Sequence, residues 1–207
     1  MGSMKAIYTY LKSLAKHKWY VGRACFKSGL YWRGIVHDLS KLSSVELGAY
    51  IKRFGGSGGI NAGRDSSGFY EPLDDPNMVE AWKHHCHSNS HHWQYHCVAR
   101  NRTLDGPGVG AVEVTDFSRD DIIEMLCDFW GASKAYKGKG VYAFWKDNKR
   151  RMRLSNKTRK WIDANCKAFE EFLNGDRKVM PDPDKKSLAE MTLFLSDDNF
   201  INNDNGE

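Results

Sequence analysis

Six of the eight histidines in the chain fall within 13 positions, His84 to His96. No other feature restricts the fold as strongly. A buried imidazole needs a partner for each ring nitrogen. Adjacent side chains on a helix point about 100° apart, so other segments must come to meet such a block. It is internal and interleaved with Trp93, Gln94 and Tyr95, which excludes a purification tag. Helical spacing puts His85 on the face of Met78, Ala81 and Trp82 and turns it inward, with His84 beside it. His91 and His92 open the next segment, while His87 and His96 are less constrained. An aromatic core with satisfied histidines accounts for one or two of the six. A structural zinc site using Cys86, Cys97 and two histidines is a further alternative, but the spacing fits no standard zinc pattern. The block reads as metal-binding.

A second stretch belongs with it: His37-Asp38-Leu39-Ser40-Lys41. Neutral imidazole and carboxylate suit Mn, Fe, Co, Ni and Zn, and the two oxygens of one aspartate can bridge two ions. Lys41, at i+3 from Asp38, either offers an ammonium to a phosphate or is a solvated surface lysine. His17 recurs with Ile7, Tyr10, Leu14, Val21 and Ala24 on one helical stripe and so points inward, as a ligand or as a core histidine bonded to backbone. Asp128 sits in the apolar turn Met125–Trp130, where a carboxylate must ligate or pair, for instance with Arg33 or Arg23. Glu124, one turn earlier, is a second ligand or a surface residue. The reading is one or two divalent transition-metal ions held by His17, His37, Asp38, Asp128 and members of the histidine block.

The remaining pattern is helical. Helices are expected over residues 5–28, over Tyr31–Lys41 carrying the His-Asp pair, and from a Ser43-x-x-Glu46 capping box to about Phe54. Asp75-Pro76 starts the next, and one more begins at His91 behind Asn89 or Ser90. Ser118 with Asp121, flanked by Phe117 and Ile122, starts another. A last amphipathic helix carries Ile162, Cys166, Phe169 and Leu173 and is closed by Gly175. Residues 55–68 hold six glycines and read as a mobile loop, either a plain connection or a lid. Residues 101–116 form a loop or short hairpin. The class is all-α, with a domain over 4–175 and a mostly irregular, partly disordered tail over 176–207, in which 188–195 forms a short docked helix. Gly2-Ser3 reads as an expression scar that places the native start at Met4.

Hydrophobic residues make up 41% of the chain, enough for a core, and no apolar run approaches the ~20 residues of a membrane helix. Five scattered cysteines without a CxxC motif indicate a reducing cytoplasm. Between Lys134 and Lys160 stand eleven lysines and arginines against one acid, Asp147. That stretch, with Trp145 and Trp161, is either a nucleic-acid surface or a solvated helix face.

His17, His37-Asp38, His84-His85 and Asp128 reproduce the order H…HD…D of the HD superfamily of helical, metal-dependent phosphohydrolases, and HDLSK resembles its HD-x-G-K form with Ser for Gly. HKWYV, HDLSK, AWxHHxHxNxHHWQY and DFWGASKAY together resemble, over roughly residues 14–165, a bacterial and phage family of unknown function sometimes labelled HD-like. The resemblance implies an HD-domain-like bundle, with one metal held by His17, His37, Asp38 and Asp128. A second would take His84 or His85 and His91 or His92. It implies Lys41 near the phosphate; in the hydrolase reading Asp38 and Lys41 are the catalytic pair, and Lys41, Arg33, Lys134 or the basic stretch holds the phosphate. The expected activity is hydrolysis of a nucleotide or other small phosphate ester, with a di-iron oxygenase and a nucleic-acid-binding protein or nuclease as alternatives.

Overall fold

The structure is a computed structural model, and it describes residues 3–72, 75–99 and 112–184. The frame is a pair of long helices. α1 (Met4–Lys27) buries Tyr10, Leu14, His17, Val21 and Ala24, the inward stripe read from the sequence. α5 (Arg119–Tyr136) lies along it, in the most extensive helix contact of the molecule. α5 starts as expected: Ser118 Oγ accepts from the Asp121 amide, and the Asp121 carboxylate accepts from the Ser118 amide.

Around this pair pack α2 (Tyr31–Val36), α3 (Leu47–Phe54), α4 (Pro76–Ser88), α6 (Val141–Asn148) and α7 (Asn156–Asn174). The all-α class holds among the described residues, with one two-stranded antiparallel sheet pairing β1 (Cys97–Ala99) with β2 (Val112–Val114). β2 lies in the segment 101–116 read as loop or short hairpin and pairs with β1 ahead of it, while residues 101–111 of that segment lie outside the described residues. Asp75 caps α4 ahead of Pro76. Gly175, at φ 96°, closes α7 by donating to the Glu171 and Phe172 carbonyls. The helix expected over 188–195 and the rest of 185–207 lie outside the described residues. The start of the tail is held to α5 by the Asp182 carboxylate on Arg119.

Three expectations are corrected. The helix over Tyr31–Lys41 ends at Val36: His37 is extended (φ −46°, ψ 126°), Asp38 is left-handed (φ 57°), and a 3-10 turn covers Leu39–Leu42. Aspartate tolerates that conformation better than most L residues. Ser43 does accept from the Glu46 amide, but Glu46 turns its carboxylate away to His84 and His85, so the reciprocal half of the capping box is absent and α3 begins at Leu47. No α-helix starts at His91; the chain makes a turn there and then a single 3-10 turn, Trp93–His96.

Two apolar clusters result. One joins α1, α5, α6 and α7 around Val21, Leu126, Trp145, Ile162 and Phe169. The other joins α1, α3 and α4 around Tyr10, Tyr50, Phe54 and Met78. A cavity of about 230 Å³ opens between them, lined by Tyr10, Leu14 and Phe54 from one side and Met125 and Met152 from the other. The Gly-rich segment runs along its wall through Ile60, Asn61, Arg64 and Ser67. It is irregular apart from a 3-10 turn over Gly59–Asn61, but it is tied down: Asp65 accepts from the Ser67 and Phe69 amides and Ser67 donates to Asn148.

Candidate metal centre

The inner end of the cavity gathers the residues singled out from the sequence. α1 supplies His17, α5 Asp128, α4 His85, the break after α2 His37 and Asp38, and the turn after α4 His91 and His92. The left-handed turn at Asp38 explains how sequence neighbours serve one site: it ends the helical rotation and drives the carboxylate into the cluster.

Asp38 is 1% exposed, and its two oxygens face different groups. Oδ2 lies 3.3 Å from His17 Nε2 and 3.4 Å from His37 Nε2. Asp128 Oδ1 joins this side at 3.1 Å from His17 Nε2 and 3.6 Å from His37 Nε2. Oδ1 of Asp38 lies 3.4 Å from His85 Nε2 and 3.7 Å from His91 Nε2. His92 Nε2 is 2.9 Å from His85 Nε2. His17, His37 and Asp128 place donor atoms close enough for one cation, and so do Asp38, His85 and His92. His37, His91 and Glu124 form a third such group.

The ring orientations are fixed from behind. Glu124 Oε1 lies 3.0 Å from His37 Nδ1 and 3.3 Å from His91 Nδ1. A carboxylate only accepts, so both Nδ1 atoms donate to it and both Nε2 atoms face inward. Arg33 Nη1 in turn donates to Glu124 Oε2 and Asp121 Oδ1, each at 2.8 Å. Ser40 Oγ, 3.0 Å from His85 Nδ1, and Glu46 Oε2, at 3.1 Å, hold the ring of His85. Metal-ligating histidines are oriented in this way, by a carboxylate or hydroxyl on the far nitrogen.

The field at the cluster favours a cation. Burial works against charge on His37, but Asp38 and hydrogen bonds to Asp128, Asp38 and Glu124 outweigh it and hold the imidazole well above its usual value. Burial also opposes ionisation of Asp38 and Asp128. Neighbouring His37 and Lys41 in the first case, and hydrogen bonds from His17 and His37 in the second, hold both carboxyls well below theirs. On the other side, burial and then His91 and His85 hold His92 well below the ordinary imidazole value, so it stays neutral with a lone pair to give.

Several expected residues fall elsewhere. His84 is 38% exposed and bonds Glu46 Oε1 at 2.7 Å, so of the adjacent pair only His85 reaches the centre. His91 and His92 both reach it, because in a turn they are not splayed by helical rotation. Lys41 lines the cavity and pairs with Asp38 Oδ2, which removes the reading of a free surface lysine. Arg33 does not line the cavity; its guanidinium is held by Asp121 and Glu124, so it positions the centre from outside instead of meeting a phosphate. Lys134 is exposed, with its ammonium 5.2 Å from the Trp130 ring centre, and also lies outside the cavity lining. Neither Cys86 nor Cys97 belongs to a potential metal cluster among the described residues. His96 stacks on Phe117 and bonds the Ser90 carbonyl, a structural role. Glu46 and Glu124 were legible only in part: one was read as a cap, the other as a ligand or a surface residue.

Within the basic stretch, Lys139, Lys149, Arg151 and Lys157 pair with Asp147, Asp163, Asp65 and Asp116. Arg159 bonds the carbonyls of Lys149 and Met152. Much of its charge is engaged within the fold.

Glu124→Gln tests the support of the rings. The amide keeps the shape but weakens the hold on two imidazoles and on Arg33. Metal affinity, read by competition with a chelating dye, is expected to fall about 10- to 100-fold while the helical signal stays unchanged.

No helix among the described residues is long and apolar enough to cross a membrane. No curated protein and no solved structure matches the chain. The model of one family of unknown function, DUF5662, matches residues 6–174, which span α1 to α7, and the chain belongs to that family.

Proposed function

We propose that the chain is a metal-dependent phosphohydrolase of the HD type, acting on a nucleotide or other small phosphate ester with two divalent transition-metal ions. One observation carries the reading. Asp38 Oδ1 and His91 Nε2 are both buried, 3.7 Å apart, and neither has a hydrogen-bond partner. Leaving such atoms unpaired is costly, and a cation held by Asp38, His85 and His91 would satisfy them together. His17, His37, Asp128 and Asp38 Oδ2 would hold one ion; His85, His91, His92 and Asp38 Oδ1 would hold the other. Ions held by these residues would supply a bound water of near-neutral pKa and polarise phosphoryl oxygens. Glu124 and Glu46 keep the imidazoles turned inward. The Lys41 ammonium, at the cavity wall, is placed to meet phosphate charge. The aromatic lining, with Trp82, Trp93 and Phe129, excludes water and offers faces to a base or another apolar group.

The test uses protein stripped with a chelator and reloaded singly with Mn, Fe, Co, Ni or Zn, assayed on p-nitrophenyl phosphate, its bis ester and a nucleotide panel. Phosphate release with at least one metal, absent in Asp38→Asn, is the expected result; no release with any metal overturns the reading.

A second reading is oxygen activation by two irons. What favours it is the donor set, since both the His17–His37–Asp128 and the Asp38–His85–His92 groups are two imidazoles and one carboxylate, the set used by non-haem iron oxygenases. Substrate turnover that stops when oxygen is removed would select it.

A further inference from the structure

Three basic residues line the cavity: Lys41, Arg64 and Lys139. Lys41 is paired with Asp38 and Lys139 with Asp147. Arg64 makes no ion pair among the described residues. A guanidinium remains charged at any ordinary pH; that of Arg64 is half-buried in the cavity wall, and Asp128 acts on its charge only from beyond ion-pair distance. Hydrogen bonds fix its place. Nε donates to the Ile60 carbonyl at 3.2 Å and Nη1 to the Gly68 carbonyl at 2.8 Å, so the fork is held by the two ends of its own loop. Its carbon lies 5.9 Å from the Tyr70 ring centre and 5.6 Å from that of Tyr136.

The Gly-rich segment is built around this placement. Gly63 and Gly68 flank the arginine at φ 81° and 82°, and a Cβ on Gly63 would fall 2.3 Å from Arg53 Nη2. Arg64 and Tyr70 form a bridge that folds the segment back on itself. Tyr136 joins the two halves of the site: its ring also stacks on His17, at 5.7 Å and 8°. A second, independent observation lies outside. A groove that shares Ile60, Asn61 and Tyr136 with the cavity is lined by Lys12, Lys16 and Lys137. Such a cluster raises the local concentration of anions at the mouth.

We propose that Arg64 is the anion-binding residue of the cavity, and that residues 55–68 form a recognition arm for a small organic phosphate with an apolar or aromatic body. The assignment deepens the phosphohydrolase reading and rests on it for the phosphate. The aromatic walls take the body, and the charged fork takes phosphate oxygens beyond the reach of Lys41, whose ammonium is shared with Asp38.

Phenylphosphonate, which is not hydrolysed, and methyl phenyl sulfone, its uncharged tetrahedral counterpart, are titrated into the full chain and into Arg64→Lys and Arg64→Met. Phosphonate affinity is expected to fall at least about tenfold in the lysine variant, which keeps charge but loses the fork, and further in the methionine variant. Sulfone affinity and metal content are expected to stay within about twofold of wild type in Arg64→Lys. Equal loss of both ligands would show that Arg64 only shapes the loop and overturn the assignment. So would unchanged phosphonate binding, or none by wild type. If phosphate release fails with every metal but the Arg64-dependent preference for phosphonate persists, the hydrolase reading falls and the anion site stands.

Discussion

Asp38→Asn is expected to abolish metal binding on both sides of the proposed centre at once. The full chain, purified without chelator, is expected to carry about two ions and the variant a small fraction of one, measured by elemental analysis. The reason is geometric: the two Asp38 oxygens face different imidazole groups, so one amide removes a charged donor from each. Asparagine is the right replacement because position 38 is left-handed, at φ 57°. Asparagine accepts that backbone, whereas alanine adds strain of its own. His92→Ala and Asp128→Ala serve as one-sided controls, each costing one ion.

Stability gives an independent readout. A ligand that binds only the folded state contributes about 2.7 kcal/mol at a hundred times its dissociation constant. For a domain of this size a kcal/mol moves the melting point by about 2–4 °C. Metal added to chelator-stripped protein is therefore expected to raise the wild-type melting point by roughly 5–10 °C and to leave that of Asp38→Asn unmoved. Equal metal content in the two proteins would sink the bridging role.

The sequence reading succeeded where structure is set locally. The α1 stripe, the Asp75-Pro76 start of α4, the reciprocal cap at Ser118 and the glycine end of α7 each depend on residues within one turn of one another. It failed where a distant partner decided. No glycine or proline marks the break at His37-Asp38; what stops the helix is a carboxylate drawn into a cluster assembled from four other places in the chain. Glu46 satisfies the spacing of a capping box, yet the buried imidazole of His85 and the half-buried one of His84 compete successfully for its oxygens. His84 and His85 are equivalent by composition, and only the packing of α4 against α3 separates them. Glu124 and Arg33 likewise show no motif: their role follows from α2 and α5 lying close enough for one guanidinium to reach two carboxylates.

The contact that sets this spacing lies one turn from the centre, and it predicts the largest loss of stability. Gly131 on α5 faces Val21 on α1, and a Cβ at 131 would fall 2.3 Å from Val21 Cγ2, 2.8 Å from its amide nitrogen and 3.0 Å from its Cα. Two of these atoms are backbone, so no rotamer change relieves the clash and the helices must separate. Overpacking of this kind costs about 3 kcal/mol, which for Gly131→Ala corresponds to a fall of roughly 6–12 °C in melting point. Gly131→Ala/Val21→Ala removes only the methyl clash and is expected to recover part of the loss. Gly48→Ala on α3, where an added Cβ meets nothing within 4 Å, is expected to leave stability unchanged or slightly raised. The same separation reaches the centre, because His17 precedes Val21 by four residues and Asp128 precedes Gly131 by three. Their 3.1 Å approach depends on the two helices meeting at the glycine. Gly131→Ala should therefore weaken metal binding on the His17–Asp128 side more than on the His85–His92 side, as read by successive titration of the two ions. A melting point within about 2 °C of wild type would show that the helix pair is more compliant than this contact implies.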